Sequence, residues 1–468
     1  MKIKELIKQD EGLRYAVDSM EFMSSAGHRY ALETNFETDA EGLEAEWRRT
    51  SRAVACLECS SESQPFKDLM HCLMQLHDVR STLASLAAGI ELSEVELFEV
   101  KHLAFISDKA RTAIGGLDLT DILPLPDLSG VFSLLDPDHS GVDHFYIYDS
   151  YHPRLASLRQ QLNGMQDKED AASGAAELFD EIRRIEQQVC TTLCDGLKQY
   201  SSNAIKSMEQ MAYADFLLAK ARLCEQWGLA RPVVGSQLSL EGLFNPRLKH
   251  HNEQVGARYQ PVDIAACAGA TLITGANMAG KTVLLKSIAT AQLMVQCGFF
   301  APAAKAVVPL FGGLEMSVGD GQNEMNGLSS YASEMVRISQ ILEQSRRQRM
   351  LVLIDEPART TNPVEGKALV EALVEICQRS ESTALITTHY SGLGNHCRRL
   401  RVKGFREGLS ASRLSPMTIN QFIDYSLEED LDGDAPQEAL RIAALLGCDA
   451  ELIEIAKQKY QQSKHTQL

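Results

Sequence analysis

The chain has 468 residues, of which 44% are hydrophobic and 23% charged. At about 150 residues per domain this length implies roughly two to four structural units, and the composition excludes both a single small module and a disordered chain. Sixty-three acidic against 46 basic side chains leave a formal net charge of -17, a field that repels a polyanion unless basic residues gather on one face. No apolar run reaches the roughly eighteen residues of a membrane span, and Met1 to Leu6 lead into no signal-type apolar core, so a cytoplasmic protein without a membrane partner is expected. The 11 cysteines sit singly in apolar-periodic text, which fits reduced thiols better than a disulfide framework. Cys56 and Cys59 form the one Cys-x-x-Cys; with only His71, Cys72 and His77 loosely placed as further ligands, the pair reads as two buried thiols on a helix from about Glu41 to Ser60.

From Gly42 to about Gly228 the apolar residues recur mostly at three-to-four spacing, as in Leu69, Cys72, Leu73, Leu76 and Val79, which predicts a mainly helical half. Breaks fall at residues 63–65, 115–116 and in the Pro-rich run 123–126. Turn signals over residues 136–141, followed by Phe145-Tyr146-Ile147-Tyr148, predict a short strand pair. The polar stretch from Asn163 to Gly174 reads as a connection between helices. Arg231-Pro232-Val233-Val234-Gly235 combines a helix-ending proline with a glycine and marks a domain boundary. Beyond it, residues 271–274, 351–354 and 384–388 are short apolar runs alternating with helical text, the pattern of parallel strands buried on both faces.

The first of these runs leads directly into Gly275-Ala276-Asn277-Met278-Ala279-Gly280-Lys281-Thr282, a G-x-x-x-x-G-K-[ST] loop, and a helical pattern follows from Val283 to Val295. In such a loop small residues let backbone N–H groups curl around phosphates at a helix N-terminus; Lys281 adds a positive charge and Thr282 a hydroxyl ligand for Mg²⁺. The second run ends in Asp355-Glu356. There Asp355 would hold the metal's hydration shell and Glu356 would act as general base on the attacking water. The third ends in Thr387-Thr388-His389, placing the His389 imidazole where it can sense the γ-phosphate. No N-K-x-D base-reading motif for guanine is present. The order of strands fits ATP-binding-cassette ATPases, with ATP and Mg²⁺ as cofactors. The expected fold is therefore multidomain: an N-terminal segment (1–40), a mainly α-helical core with shortened lever arms (41–230), an α/β P-loop ATPase domain (231–412) and a helical C-terminal dimerisation tail (413–468).

Thr274 to Thr282 resembles the T-G-P-N-M-x-G-K-[ST] loop of the MutS family, and the stretch from Gly319 to Met335 resembles the family's segment ending in S-T-F-x-x-E-M. Asp355-Glu356 and Thr388-His389-Tyr390 complete the set in family order, and Ala301-Pro302-Ala303 fits the same pattern. The resemblance implies a head-to-tail dimer, of two copies or with a related chain, in which Ser329 reaches the γ-phosphate bound by the other subunit. Departures bear on what the ATPase drives. Arg359 lies in a loop that is Gly-rich in most members, residues 362–366 look most like the type-2 branch, and Phe244-Asn245-Pro246 stands where a His-Pro pair is common near the adenine. The first forty residues, including Asn35-Phe36-Glu37-Thr38, offer no F-x-E mismatch-reading match. About 230 residues precede the boundary, too few for the mismatch, connector, core and full clamp domains together, and no small nuclease domain follows the ATPase. Residues 423–427 and 436–443, together with 355–363, are similar to the MutS-like ATPase subunit associated with reactivating adenosylcobalamin-dependent lysine aminomutase.

Two readings follow. One is a dimeric ATPase that remodels a protein client such as an aminomutase, which suits the acidity and shortened arms. The other is a DNA-binding ATPase of mismatch repair or recombination, whose local support is the basic run Arg398, Arg399, Arg401, Lys403 and Arg406 with Arg346, Arg347 and Arg349.

Overall fold

The computed structural model describes every residue except 166–171, 277–278, 319–329, 394–395, 406–421, 432–439, 441–442, 445–446 and 467–468. The chain divides into two compact units, one of residues 1–19, 35–48 and 223–468 and the other of residues 20–34 and 49–222.

The second of these is helical, as the three-to-four spacing predicts. Its long helix Glu94–Gly116 opens with a reciprocal cap, in which the Ser93 hydroxyl accepts the Glu96 N–H and the Glu96 carboxylate accepts the Ser93 N–H. The helix then buries Leu97, Val100, Leu103, Ala104 and Ile106 along one face. Helices Leu155–Met165 and Ala172–Lys198 flank the polar stretch read as a connection, most of which lies outside the described residues. Asp215, on helix Ser201–Trp227, anchors the start of helix Ser25–Glu33 by accepting the Met23 N–H (2.9 Å), the Ser24 N–H (2.8 Å) and the Ser24 hydroxyl (2.7 Å).

Two expectations in this unit are corrected. Cys56 is buried but Cys59 is exposed: the buried stripe of helix Ala40–Ser60 runs through Ala53, Cys56 and Leu57, and Cys59 falls beside it near the helix end. Among the described residues no group of three or more His, Cys, Asp or Glu side chains could hold a metal ion. Residues 145–148 form no strand. The run is instead pinned at its two ends by Lys101, fully buried, whose ammonium donates to the carbonyl of the preceding His144 (2.7 Å), the Tyr148 hydroxyl (3.1 Å) and Asp136 (3.3 Å). One buried cation with three oxygen partners outweighs the β-propensity of an aromatic run.

The other unit contains two sheets. Strands β1 (Val233–Val234), β2 (Leu238–Leu243), β3 (Val262–Ala266) and β5 (Lys305–Val308) form a four-stranded sheet in the order β1-β5-β2-β3. Strands β4 (Gly269–Thr274), β6 (Gly313–Ser317), β7 (Met350–Ile354), β8 (Thr383–Thr388), β9 (Arg398–Phe405) and β10 (Ile423–Glu429) form a six-stranded sheet in the order β10-β9-β4-β8-β7-β6. All its pairings are parallel except β9 with β10. Every residue of β4, β7 and β8 is buried, as continuous apolar runs between covering helices require. Because these strands are parallel neighbours, their carboxyl ends open onto one edge, where ligands of open α/β sheets bind.

Strand β10 departs from the helical tail expected there. Its alternation of Ile423, Tyr425 and Leu427 suits pairing with β9, and among the described residues of that tail the segment Ala450–Thr466 forms a long helix.

The first residues of the chain grip the helix Lys281–Gln296. Asp10 caps helix Glu11–Asp18 by accepting the Leu13 N–H (2.6 Å) and also accepts the Thr290 hydroxyl (2.9 Å). Gly12 packs so closely that a Cβ there would lie 2.1 Å from Thr290 Oγ1. At the helix's far end the Glu37 N–H donates to the Gln296 carbonyl (2.7 Å) while the Gln296 amide donates to the Glu37 carbonyl (2.8 Å).

Replacing Lys101 by Met should destabilise the helical unit by roughly 3 kcal/mol, because the buried Asp136 and Tyr148 hydroxyl and the His144 carbonyl lose their cation. Chemical denaturation followed by circular dichroism reads this out; an unchanged midpoint would show that the lysine's desolvation cancels its bonds.

Candidate nucleotide site

Strand β4 ends at Thr274, and the chain turns through Gly275 to Gly280 into helix Lys281–Gln296. Gly280 makes the final turn with φ +77°, and a Cβ at that position would meet the Tyr425 ring at 3.0 Å. Both constraints select glycine. The helix N-terminus then presents unpaired N–H groups and its positive dipole end to the loop. Of the residues read from the motif, Gly275, Ala276, Ala279 and Gly280 line this turn; Asn277 and Met278 lie outside the described residues, as does Ser329.

The reactive side chains meet at the ends of β4, β7 and β8. Lys281, 5% exposed, donates from Nζ to the carbonyls of Gly275 (2.7 Å) and Ala276 (3.1 Å) and pairs with Glu356 Oε1 at 3.1 Å. The Thr282 hydroxyl donates to Asp355 Oδ2 at 2.5 Å. Asp355 Oδ1 accepts the Thr387 hydroxyl at 2.6 Å, and that hydroxyl accepts the Glu356 N–H at 2.9 Å. Thus Lys281-Thr282 and Asp355-Glu356, two adjacent pairs 73 positions apart from Thr282 to Asp355, form one connected group. A hydroxyl and a carboxylate held together are hard oxygen donors of the kind Mg²⁺ takes, so the residues present fit that ion.

Burial works against the charged form of Glu356, but Lys281 beside it, with His389 and Arg359 further off, outweighs burial and holds the carboxyl below the usual carboxylate range. Burial also pushes the His389 imidazole below its ordinary 6.5; Glu356 opposes this, while Lys281 and Arg359 add to it. His389 is therefore neutral at pH 7, with its ring against Tyr390 at 4.3 Å between centroids.

The loop after the acidic pair is tightly held. Glu356 and Ala358 adopt φ +46° and +59°, a region that disfavours any residue with a Cβ. The Ala358 N–H donates to Glu334 (3.3 Å) and its carbonyl accepts the Tyr390 hydroxyl (3.1 Å). Gly366 makes room for that hydroxyl, since a Cβ there would lie 2.2 Å from it. Arg359 sits at 3.4 Å from Glu356 Oε2 with its guanidinium mostly exposed. Below the loop, Thr274 donates to Asp430 at 3.0 Å, and Arg401 pairs with the same carboxylate at 2.6 Å.

The motifs gave every charged member of this group, and Glu334 is the glutamate of the segment ending in S-T-F-x-x-E-M, but they gave neither Thr387 nor Asp430. A threonine near a strand end and a lone acid after a strand carry no local signal; only the sheet register brings them here.

Of the arginines that offered a nucleic-acid face, Arg347, Arg349, Arg398, Arg399 and Arg401 are engaged within the chain. Arg398 pairs with Glu429 at 2.6 Å and donates to the Ala265 carbonyl. Arg399 donates to the carbonyls of Asp430, Leu431 and Leu393, Arg347 pairs with Glu343, and Arg349 donates to the Ser236 carbonyl at 3.0 Å. Arg406 lies outside the described residues.

A glycine-bounded loop at a helix N-terminus, a lysine opening that helix and a hydroxyl–carboxylate pair at the end of β7 define a P-loop ATP hydrolase. Residues 271–463 match the family model of MutS domain V. Among curated proteins the chain is 30% identical to Endonuclease MutS2 of Thermus thermophilus over 69% of its own length and 39% of that protein's. It is 30% identical to Endonuclease MutS2 of Caldanaerobacter subterraneus subsp. tengcongensis over 60% of its length and 35% of that protein's. It is 31% identical to the DNA mismatch repair protein MutS of Thermus aquaticus over 45% of its length and 25% of that protein's. The chain thus spans well under half the length of these relatives. Among the described residues no helix is long and apolar enough to cross a membrane.

Because Glu356 is held charged and His389 neutral, turnover should stay level as pH falls through 6.5, with its acid limb below that value. A pH–rate profile under saturating ATP checks this; a limb centred at or above 6.5 would contradict the electrostatics described.

Proposed function

We propose that this chain is a nucleotide-driven switch that binds ATP with Mg²⁺ at the P-loop, hydrolyses it, and uses the cycle to remodel a protein partner. The observation that supports the chemistry is the connected group of Lys281, Thr282, Asp355 and Glu356. In this reading Lys281 exchanges its bonds to the Gly275 and Ala276 carbonyls for phosphate oxygens, and the backbone from Gly275 to Gly280, including Asn277 and Met278, wraps the phosphates. Thr282 and Asp355 hold Mg²⁺, which when bound neutralises charge on the phosphates. Glu356, charged and anchored, takes the proton of the attacking water. His389, neutral, stands ready to hydrogen-bond the terminal phosphate.

The MutS resemblance adds a dimer, of two copies or with a related chain, in which Ser329 completes the partner's site. ATP would favour the closed dimer by binding it more tightly than the open one, and hydrolysis would release it. The protein client rests on charge: the chain carries -17 overall, and Arg398, Arg399 and Arg401 are neutralised by Glu429, Asp430 and backbone carbonyls. A cytoplasmic cobalamin-dependent lysine aminomutase is the client that the narrower tail resemblance suggests.

The names of the relatives, an endonuclease and a DNA mismatch repair protein, favour a second reading in which the same cycle acts on DNA. A comparison of ATPase rates with and without duplex or branched DNA at low salt separates the two: DNA stimulation would select the second reading, and its absence with rescue of a stalled aminomutase would select the first.

Glu356→Gln should keep ATP binding while lowering steady turnover by about a hundredfold or more. Calorimetric binding alongside a phosphate-release assay checks it; normal turnover in that variant would remove Glu356 as the base.

A further inference from the structure

Strands β7 and β8 run parallel with Ile354 opposite Ile386, so the residue after Ile386 lies beside the acidic pair that follows β7. That residue is Thr387, fully buried. Its hydroxyl has one proton to give and lone pairs to receive. The Glu356 N–H can only donate and the Asp355 carboxylate can only accept, so the hydroxyl proton must point at Asp355 Oδ1 (2.6 Å) while its oxygen takes the Glu356 N–H (2.9 Å). The other Asp355 oxygen faces the Thr282 hydroxyl at 2.5 Å. Asp355 is thereby held from both sides, and Glu356 is held by its backbone N–H at a residue whose φ of +46° is disfavoured for any side chain with a Cβ.

Resting on the hydrolytic reading of this site, we infer that Thr387 is the positioning residue that couples the two carboxylates. It aims Asp355 at the metal position next to Thr282 and holds Glu356 at the angle from which it reaches the attacking water. Shape alone does not demand threonine here. Valine has the same branching and would fill the buried strand position, but it would leave the Glu356 N–H and one Asp355 oxygen without this partner. Thr388, the next residue, uses its hydroxyl differently, accepting the Tyr390 N–H at 3.1 Å. The coupling belongs to one of two adjacent threonines.

The test compares Thr387→Val, which keeps the shape, with Thr387→Ser, which keeps the hydroxyl. Two quantities are measured: turnover, and the Mg²⁺ concentration at which a non-hydrolysable ATP analogue binds half-maximally in titration calorimetry. Thr387→Val should lower turnover by about ten- to a hundredfold and raise the Mg²⁺ requirement several-fold, while Thr387→Ser stays within about threefold of the parent in both. An unchanged Mg²⁺ requirement and turnover in Thr387→Val would overturn the inference. So would equal damage in Thr387→Ser, which would assign the effect to packing. Should the valine variant not fold, Thr387→Ala against Thr387→Ser makes the same comparison. Glu356→Gln run in parallel separates this inference from the hydrolytic reading: normal turnover in Glu356→Gln refutes the base, whereas the Mg²⁺ titration of the Thr387 variants still decides the coupling of Asp355.

Discussion

A single buried cation organises the nucleotide site. Lys281 is almost wholly removed from water, and an ammonium in that position must be surrounded by oxygen. The Gly275 and Ala276 carbonyls and Glu356 supply it. That requirement ties the loop after β4 to the end of β7, and through Thr387 to the end of β8. The charge also acts on its neighbours, holding Glu356 below the usual carboxylate range and adding to the burial that lowers His389. Structural neutralisation and chemical preparation are here the same set of contacts.

Much of this was legible in sequence because its elements are local. A glycine-bounded loop between an apolar strand and a helix is a contiguous pattern, and Asp355-Glu356 at the end of an all-apolar run is another. The strands 271–274, 351–354 and 384–388 were read within two residues of β4, β7 and β8 because strands buried on both faces have no alternative use for such runs. What failed was decided at a distance. Phe145 to Tyr148 has the composition of a strand, but Lys101, more than forty positions away in sequence, takes the carbonyl just before the run and the Tyr148 hydroxyl at its end. Strand β10 escaped notice because its pairing with β9 is antiparallel and irregular, with a register shift between Asp424 and Leu427. Thr387 escaped because its importance comes from the register of two strands rather than from its own neighbours.

The arginines of β9 show how a sequence-level patch can dissolve in three dimensions. Read along the chain, Arg398, Arg399 and Arg401 form a basic run. In the sheet they face the acidic end of β10 and the residues after it, and Arg401 and Thr274 share the Asp430 carboxylate. The run therefore ties the outer hairpin to the base of the phosphate loop. A local count of positive charge says little about a polyanion site until the acids across the sheet are known.

The clasp of Asp10, Gly12 and Glu37 on helix Lys281–Gln296 has a consequence for how the chain reaches its native state. These residues meet partners some 280 and 260 positions later in sequence, with nearly all of the helical unit lying between them in the chain. During synthesis from the N-terminus, helix Glu11–Asp18 emerges long before the surface it covers exists, leaving Leu13, Ala16 and Val17 without their core. The helical unit, built mostly from contiguous sequence, can close first and shorten the effective loop that the clasp must span. The P-loop helix would then be secured late, so that assembly of the phosphate site reports completion of the whole unit rather than of its local motif.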